Sequence, residues 1–444
     1  MAIRLKRIPM DFIILENNFR KKDEKRSCLR ILLVQSPTGR PEMPIYPLGL
    51  AFIAGQLKGH LLRGLDLSLG GDGPRRLEEA LDDFRPHLVG ISLRNIDDSS
   101  YPVTHSYIEP FAGIMETLLD WEGKVVVGGT GFSIYPGIIL EEFPRIDFGI
   151  PGEGEEIFPE LVGFLEEGGS IEGWDGGRLL PWVRSDLGSL KLPDYGLLEL
   201  SDYPSPDSIG VQSRRGCAYR CRYCTYGYLS GRDFRTRPVE HVVRDIRALE
   251  KMGVEQFQFV DSVFNAPEDY FISLLEALEK AGPQISWSAW VDEKVRPDHL
   301  VRMSSAGCVK VDFSPDAITD RGLRLLGKRG RARELLPAVR AARRAGLKVG
   351  INFFNGNPGE GIFAFIRKLF FMLRTRLTLG WSDTFVNIGT IRVYEHSALA
   401  DQMRDDGSVP ADCDFYGPVF YRAAGPADWL YRIFQRMRRS RHGG

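Results

Sequence analysis

Cysteine is scarce in this chain, six in 444 residues, and three of the six stand together at positions 217, 221 and 224. So few thiols, half of them in one motif, do not make a disulfide framework and point to a reducing compartment. An excess of either charge is also missing. With 58 Lys and Arg against 59 Asp and Glu, nothing suggests a protein built mainly to hold nucleic acid. Long apolar runs are absent too: residues 362–373, the greasiest helix candidate, are interrupted by Arg367 and Lys368, so no membrane span is expected. The stretch before Cys28 carries eight Lys or Arg against four Asp or Glu, with no apolar core and no small-residue cleavage site, so a signal peptide is not expected and a cytoplasmic location is. What the chain does have is length, enough for two or three domains with sizeable cores.

Alternation of apolar runs organises the first part. Residues 29–34 read as a buried parallel strand, residues 46–54 have helical spacing, and strands at 65–69, 88–93, 124–127 and 147–150 alternate with helices at 75–84, at 107–121 and before residue 147. This pattern predicts an α/β, doubly wound, flavodoxin-like sheet with its ligand at the carboxyl ends of the strands. The loops that would meet a ligand begin at Ser36, Ser92, Gly128 and Pro151. Residues 173–200 are rich in Gly, Pro, Trp and Asp without a sustained period, and read as an ordered connector. A second strand-helix series follows from Val211, with strands at 256–260, 286–290, 309–313 and 349–354. Six such units predict a partial TIM-like barrel, whose working groups sit on the rim at the strands' C-terminal ends. That rim would carry Asp261, Asp292, Asp316 and Asn355.

The motif Ser213-Arg-Arg-Gly-Cys217-Ala-Tyr-Arg-Cys221-Arg-Tyr-Cys224 lies at the start of that second series. Its CxxxCxxC spacing offers three thiolates and no fourth, which suits a [4Fe–4S] cluster with one open iron; a zinc knuckle would need a distant Cys or His. The spacing, with Tyr223 before the last cysteine, resembles the signature of the radical S-adenosylmethionine (SAM) superfamily. That resemblance implies a cluster on Cys217, Cys221 and Cys224, with SAM on its open iron. It also implies SAM contacts from Tyr223, Asp261, Ser262, Asp316 and Asn355, a turn at Gly356-Asn-Pro-Gly-Glu360, and an electron donor such as flavodoxin or ferredoxin.

The first domain carries its own resemblance. Val127-Gly-Gly-Thr-Gly-Phe-Ser133 and Gly152-Glu-Gly-Glu-Glu156 resemble the cobalamin-binding domain that precedes many radical SAM barrels. This implies a cobalamin pocket from Ser36, Ser92, Arg94, Asn95, Gly128, Gly129, Thr130, Gly131 and Glu153. The first loop departs from mutase-type cobalamin proteins because it lacks a histidine, and His60 lies beyond its helix, so the residue facing cobalt is expected from residues 93–96. Arg94 there cannot ligate cobalt. The run Ile391-Arg-Val-Tyr-Glu-His-Ser-Ala-Leu399 resembles the segment that closes the barrel in cobalamin-dependent members. Read whole, the chain is identified as a member of the cobalamin-dependent radical SAM family. The boundaries expected are a basic extension at 1–28, a cobalamin-binding domain at 29–172, a linker at 173–205, a (β/α)6 radical SAM partial barrel at 206–400 and a C-terminal extension at 401–444. The activity implied is methyl transfer to an unactivated carbon of a small molecule or peptide, with ring rearrangement or cyclisation as the alternative. A methylthiotransferase would need further cysteines in the first domain, where only Cys28 precedes Cys217. Cys308 is expected in the core and Cys28 and Cys413 as incidental thiols. His396 is expected at a surface loop, and the arginines of 432–441 in a solvated tail.

Overall fold

The computed structural model describes residues 28–38, 44–168, 170–380 and 383–422. The basic extension, Gly39 and Arg40 of the first loop, and the arginines of 432–441 lie outside the described residues. The first sheet is built from β1 (Arg30–Gln35), β2 (Leu61–Asp66), β3 (Leu88–Ser92), β4 (Lys124–Gly128) and β5 (Phe148–Gly149), all parallel, in the order β2-β1-β3-β4-β5. That is the doubly wound order expected. Ile31, Leu32, Leu33 and Val34 of β1 are all fully buried, because helices cover both faces of a parallel sheet and no side of the strand is left to water. The second strand departs from the reading at 65–69. Residues Leu67–Leu69 form a 3-10 turn, with Asp66 Oδ1 accepting Ser68 N at 2.7 Å. That carboxylate draws the backbone out of the strand. The strand itself is an edge, exposed at Leu61, and so shows no continuous apolar run.

The second sheet opens with β6 (Gly210–Val211), after which β7 (Arg214–Arg215) and β8 (Arg235–Thr236) pair antiparallel around the cysteine loop. Then come β9 (Gln256–Phe259), β10 (Ser286–Val291), β11 (Cys308–Asp316), β12 (Lys348–Phe354) and β13 (Thr384–Gly389). The six parallel strands run in the order β13-β12-β11-β10-β9-β6, and β13 does not pair with β6, so the barrel is partial. Alternate residues such as Phe257, Trp287, Val311, Val349 and Val386 pack into one large core with the outer helices, while the intervening residues face the lumen.

The run 391–399 does not complete this sheet. Ile391–Val393 is β14 and pairs antiparallel with β15 (Val419–Tyr421) as a separate ribbon. The ribbon is fastened to the first domain instead: Arg392 Nε meets Asp97 Oδ2 at 2.9 Å, both buried, and Tyr135 Oη donates to the Phe415 carbonyl at 2.7 Å. Arg392 also donates to the Phe415 and Tyr416 carbonyls, so its hydrogen-bonding demands are met inside the protein. Among the described residues no helix is long and apolar enough to cross a membrane.

Candidate active site

The three cysteines sit in the loop between β7 and β8, half-buried. Cys217 N donates to the Gly231 carbonyl at 3.0 Å, Cys224 N to the Cys221 carbonyl at 3.2 Å, and Tyr226 N to Cys224 Sγ at 3.4 Å. Burial pushes the Cys221 thiol up to about 12, with Asp316, Cys224 and Cys217 adding to it against Lys328; burial also raises Cys224, with Cys217 and Asp316 adding to it. Thiols so placed become thiolates on binding iron, whose charge offsets both burial and mutual repulsion. Gly216 precedes the first cysteine at φ +79°, and a Cβ there would run into the Asp233 carbonyl. Only glycine brings the loop this close.

Asp261 and Ser262, expected against SAM, are turned toward this loop. Asp261 accepts Ser213 N at 2.8 Å and Arg214 N at 3.1 Å, as well as the Ser213 hydroxyl, and Ser262 Oγ donates to the Gly216 carbonyl at 2.9 Å. Both oxygens of Asp261 are therefore engaged in fixing the strand that leads to Cys217. Beneath it Arg214 is fully buried, 3.6 Å from Asp261 Oδ2 and stacked over the Tyr270 ring. Tyr223 and Asp316 are brought together: Tyr223 Oη donates to Asp316 Oδ2 at 2.6 Å, and Lys328 Nζ meets the same oxygen at 2.8 Å. Asp316 holds a left-handed backbone at φ +66°, a conformation Asp tolerates and functional sites often store. Burial opposes the charge on Lys328, yet Asp316, Cys221 and Glu293 outweigh it and hold the ammonium above its usual range. Asn355 is buried at the end of β12. Sequence reasoning missed Lys328, although a lone lysine in a Gly-Lys-Arg-Gly loop after a barrel strand was a usable signal.

Between the carboxyl ends of the first sheet and the barrel lies a cavity of about 500 Å³. Ser92, Arg94, Gly128, Gly129, Thr130 and Glu153 line it from the first domain, and Arg215, Tyr226, Gln258 and Val260 from the second. Ser36, Asn95 and Gly131 do not lie on its wall. Ser36 is buried with its hydroxyl unpartnered, Asn95 is exposed, and Gly131 packs where a Cβ would press on the backbone of Leu93 and Asn95. His60 is not on the wall either; it lies 3.6 Å from Glu166. Arg94 opens onto the cavity, where desolvation lowers its guanidinium despite Tyr107 and Asp66. The lining fits the chemistry of cobalamin: Gly128 and Gly129 put bare backbone on the wall, and neither histidine nor cysteine is among the lining residues.

Glu153 has a second employment. Its carboxylate takes Arg215 Nη1 and Ser185 N, both at 3.0 Å, and pairs closely with Arg235; Arg215 also pairs with Glu155. Burial disfavours the Arg215 charge, but Glu155 and Glu153 more than offset it. Phe52 lies beneath, with the Arg215 and Arg237 guanidiniums 5.5 and 5.0 Å from its ring centre. The cobalamin-side loop and the strand leading to Cys217 are thus one buried ionic network. His396 lies elsewhere, stacked on Tyr228 at 3.9 Å in an open groove with Glu395, Arg404 and Cys413. Cys308 is core, as expected.

A three-cysteine loop at the rim of a partial barrel and a cavity at the end of a flavodoxin-like sheet are the two features to set beside known proteins. Residues 211–367 match the model of the radical SAM superfamily, and residues 38–162 match that of the B12 binding domain. An uncharacterized methyltransferase of Pyrococcus horikoshii is 26% identical over 359 residues, covering 75% of each chain. The cytidylyl-2-hydroxyethylphosphonate methyltransferase of Streptomyces wedmorensis is 24% identical, over 77% of this chain and 76% of its own. Among solved structures, the radical SAM methyltransferase TsrM from Kitasatospora setae, with cobalamin and a [4Fe-4S] cluster bound, superposes with a TM-score of 0.73 at 21% identity, over 88% of this chain and 78% of its own. The chain belongs to the cobalamin-dependent radical SAM enzymes, and its cofactors are a [4Fe–4S] cluster, SAM and cobalamin.

Proposed function

We propose that this enzyme transfers a methyl group from SAM to an unactivated carbon of a small molecule or peptide. The observation that carries this reading is the shared cavity, whose walls come from the cobalamin loops on one side and from Arg215 and Tyr226 beside the cluster on the other. When bound, cobalamin and SAM supply the methyl carrier and the methyl source, and the cluster supplies the electron. The chain's own residues orient and enclose. Cys217, Cys221 and Cys224 hold the cluster and leave one iron free. Tyr223, Asp316 and Lys328 form a fixed hydrogen-bonded group beside it, suited to the polar tail or ribose of SAM. Asp261 and Ser262 set the cluster loop, and Asn355 closes the next strand. Ser92, Gly128, Gly129 and Thr130 admit the cobalamin tail. Arg94 stands on the cavity wall, where a guanidinium would not serve as a ligand to cobalt. An external one-electron donor of the flavodoxin or ferredoxin type completes the system.

Anaerobic reconstitution with iron, sulfide and cobalamin tests the reading. SAM labelled in its methyl group should pass label to protein-bound cobalamin and yield S-adenosylhomocysteine. Cys217→Ala, Cys221→Ala and Cys224→Ala should each lose most cluster absorbance and all SAM turnover, whereas Cys28→Ala, Cys308→Ala and Cys413→Ala keep both. A loaded enzyme that forms 5′-deoxyadenosine but moves no label would replace methylation by rearrangement or cyclisation.

A further inference from the structure

The lumen of the half-barrel holds a charged cluster that none of the cofactor roles uses. Side chains alternate along each strand, and the outward set is buried against the helices, so Gln258, Ser288, Lys310, Asp312, Asn352 and Asn387 face inward. Asp207, just before β6, accepts Ser288 Oγ at 2.6 Å and Lys310 Nζ at 2.8 Å. The same ammonium lies 3.0 Å from Asp312 Oδ2. Two carboxylates share one cation, so by formal count the group has one carboxylate more than it has cations. It adjoins the space already described, because Asp207 and Gln258 line the cavity between the domains.

The register across the sheet adds a second observation. Trp290, Asp312, Gly350 and Phe385 are successive partners on β10, β11, β12 and β13. Glycine at 350 leaves room for the Asp312 carboxylate, which occupies the place a Cβ would take. The row is therefore aromatic, carboxylate, glycine, aromatic, with the carboxylate lying over the glycine. Phe385 is 46% exposed and Val260 37% exposed although both face inward, so apolar surface stands open in a barrel whose outward face is fully packed. A purely structural ion pair at a barrel floor needs neither an uncompensated carboxylate nor bare rings above it.

Building on the methyl-transfer reading, which puts the substrate inside the barrel, we propose that this substrate is a compact organic molecule bearing a basic amine beside an aromatic or aliphatic body. The ammonium would lie between Asp312 and the rings of Trp290 and Phe385, where a carboxylate and aromatic faces attract a cation together. The body would extend past Val260 toward the cavity that Val260, Asp207 and Gln258 line.

Phenethylamine and 3-phenylpropionate, alike in shape and opposite in charge, are the probes. Their binding to the cluster- and cobalamin-loaded enzyme is read by saturation-transfer NMR. The amine should bind at least tenfold more tightly. Lys310→Met leaves two carboxylates unopposed and should raise that preference, whereas Asp312→Asn and Asp207→Asn should lower it. A fold defect would move all three variants alike, so opposite signs identify charge recognition. Equal or reversed preference, no binding of either probe, or variants shifting in one direction would overturn the assignment. Methyl-label transfer to cobalamin in the wild-type enzyme is scored separately. Its presence without amine preference leaves the methylase reading standing, and amine preference without transfer leaves only the binding site.

Discussion

Glu293 shows how far a single side chain can depart from its ordinary chemistry near this rim. Burial pushes its carboxyl from 4.5 up to about 7, against the pull of Lys328, and one of its oxygens is buried without a hydrogen-bond partner. The folded protein holds this proton to near neutrality while the unfolded chain releases it at the ordinary value. Its stabilising contribution is therefore present at acidic pH and is lost as pH rises through about 7. In cluster-free protein, Glu293→Gln should leave the thermal midpoint unchanged at pH 5 and raise it by a few degrees at pH 8. That corresponds to on the order of 2 kcal/mol after allowance for partial exposure. Equal effects at both pH values would contradict the shift. No feature of the sequence pointed to Glu293, since its burial comes from neighbours far along the chain.

Gly129, at the end of β4, turns the chain with φ +98°, and a Cβ there would stand 2.7 Å from the Leu93 carbonyl. The glycine motif implied room for a cofactor tail, but at this position the first collision is with the protein's own backbone. Gly129→Val should lower stability by roughly 2 to 4 kcal/mol, combining strained φ with a clash that rigid backbone cannot relieve. Chemical denaturation without cobalamin checks this, and Gly128→Ala, whose Cβ meets only the Ile150 carbonyl at 3.2 Å, should cost much less. Most elements were legible because apolar runs of strand length recur between helical periods. The edge strand β2 was displaced because Asp66 starts a turn that composition does not reveal. β11 was read as a strand at 309–313 with no face assigned, yet Lys310 and Asp312 alternate with apolar residues within it, and that period of two was the available sign of a polar lumen. The pairing of Glu153 with Arg215 could not be read at all, since it joins residues 62 apart by fold alone.

At the scale of the molecule, that ionic network ties the loop of Glu153 and Glu155 to the strands that flank the cysteine loop. Arg215→Met would strand Glu153 and Glu155 in a buried site, a change of a kind that costs about 3 to 5 kcal/mol. It should also loosen the geometry between cobalt and cluster. Pulsed electron paramagnetic resonance on enzyme with Co(II) and reduced cluster should show a broadened distance distribution in Arg215→Met and a narrow one in wild type. A distribution of wild-type width in the variant would show that the network does not set the spacing.

The ribbon of β14 and β15 extends this argument beyond catalysis. Because Arg392 reaches back to Asp97, the chain leaves the first domain, builds the barrel and returns to the first domain. A barrel excised by recombination at the linker would carry Arg215 and Arg392 away from the carboxylates that neutralise them. Cut apart, the two pieces would each expose charges that the intact chain keeps buried and neutralised, so neither is expected to be as stable alone as it is in the whole chain.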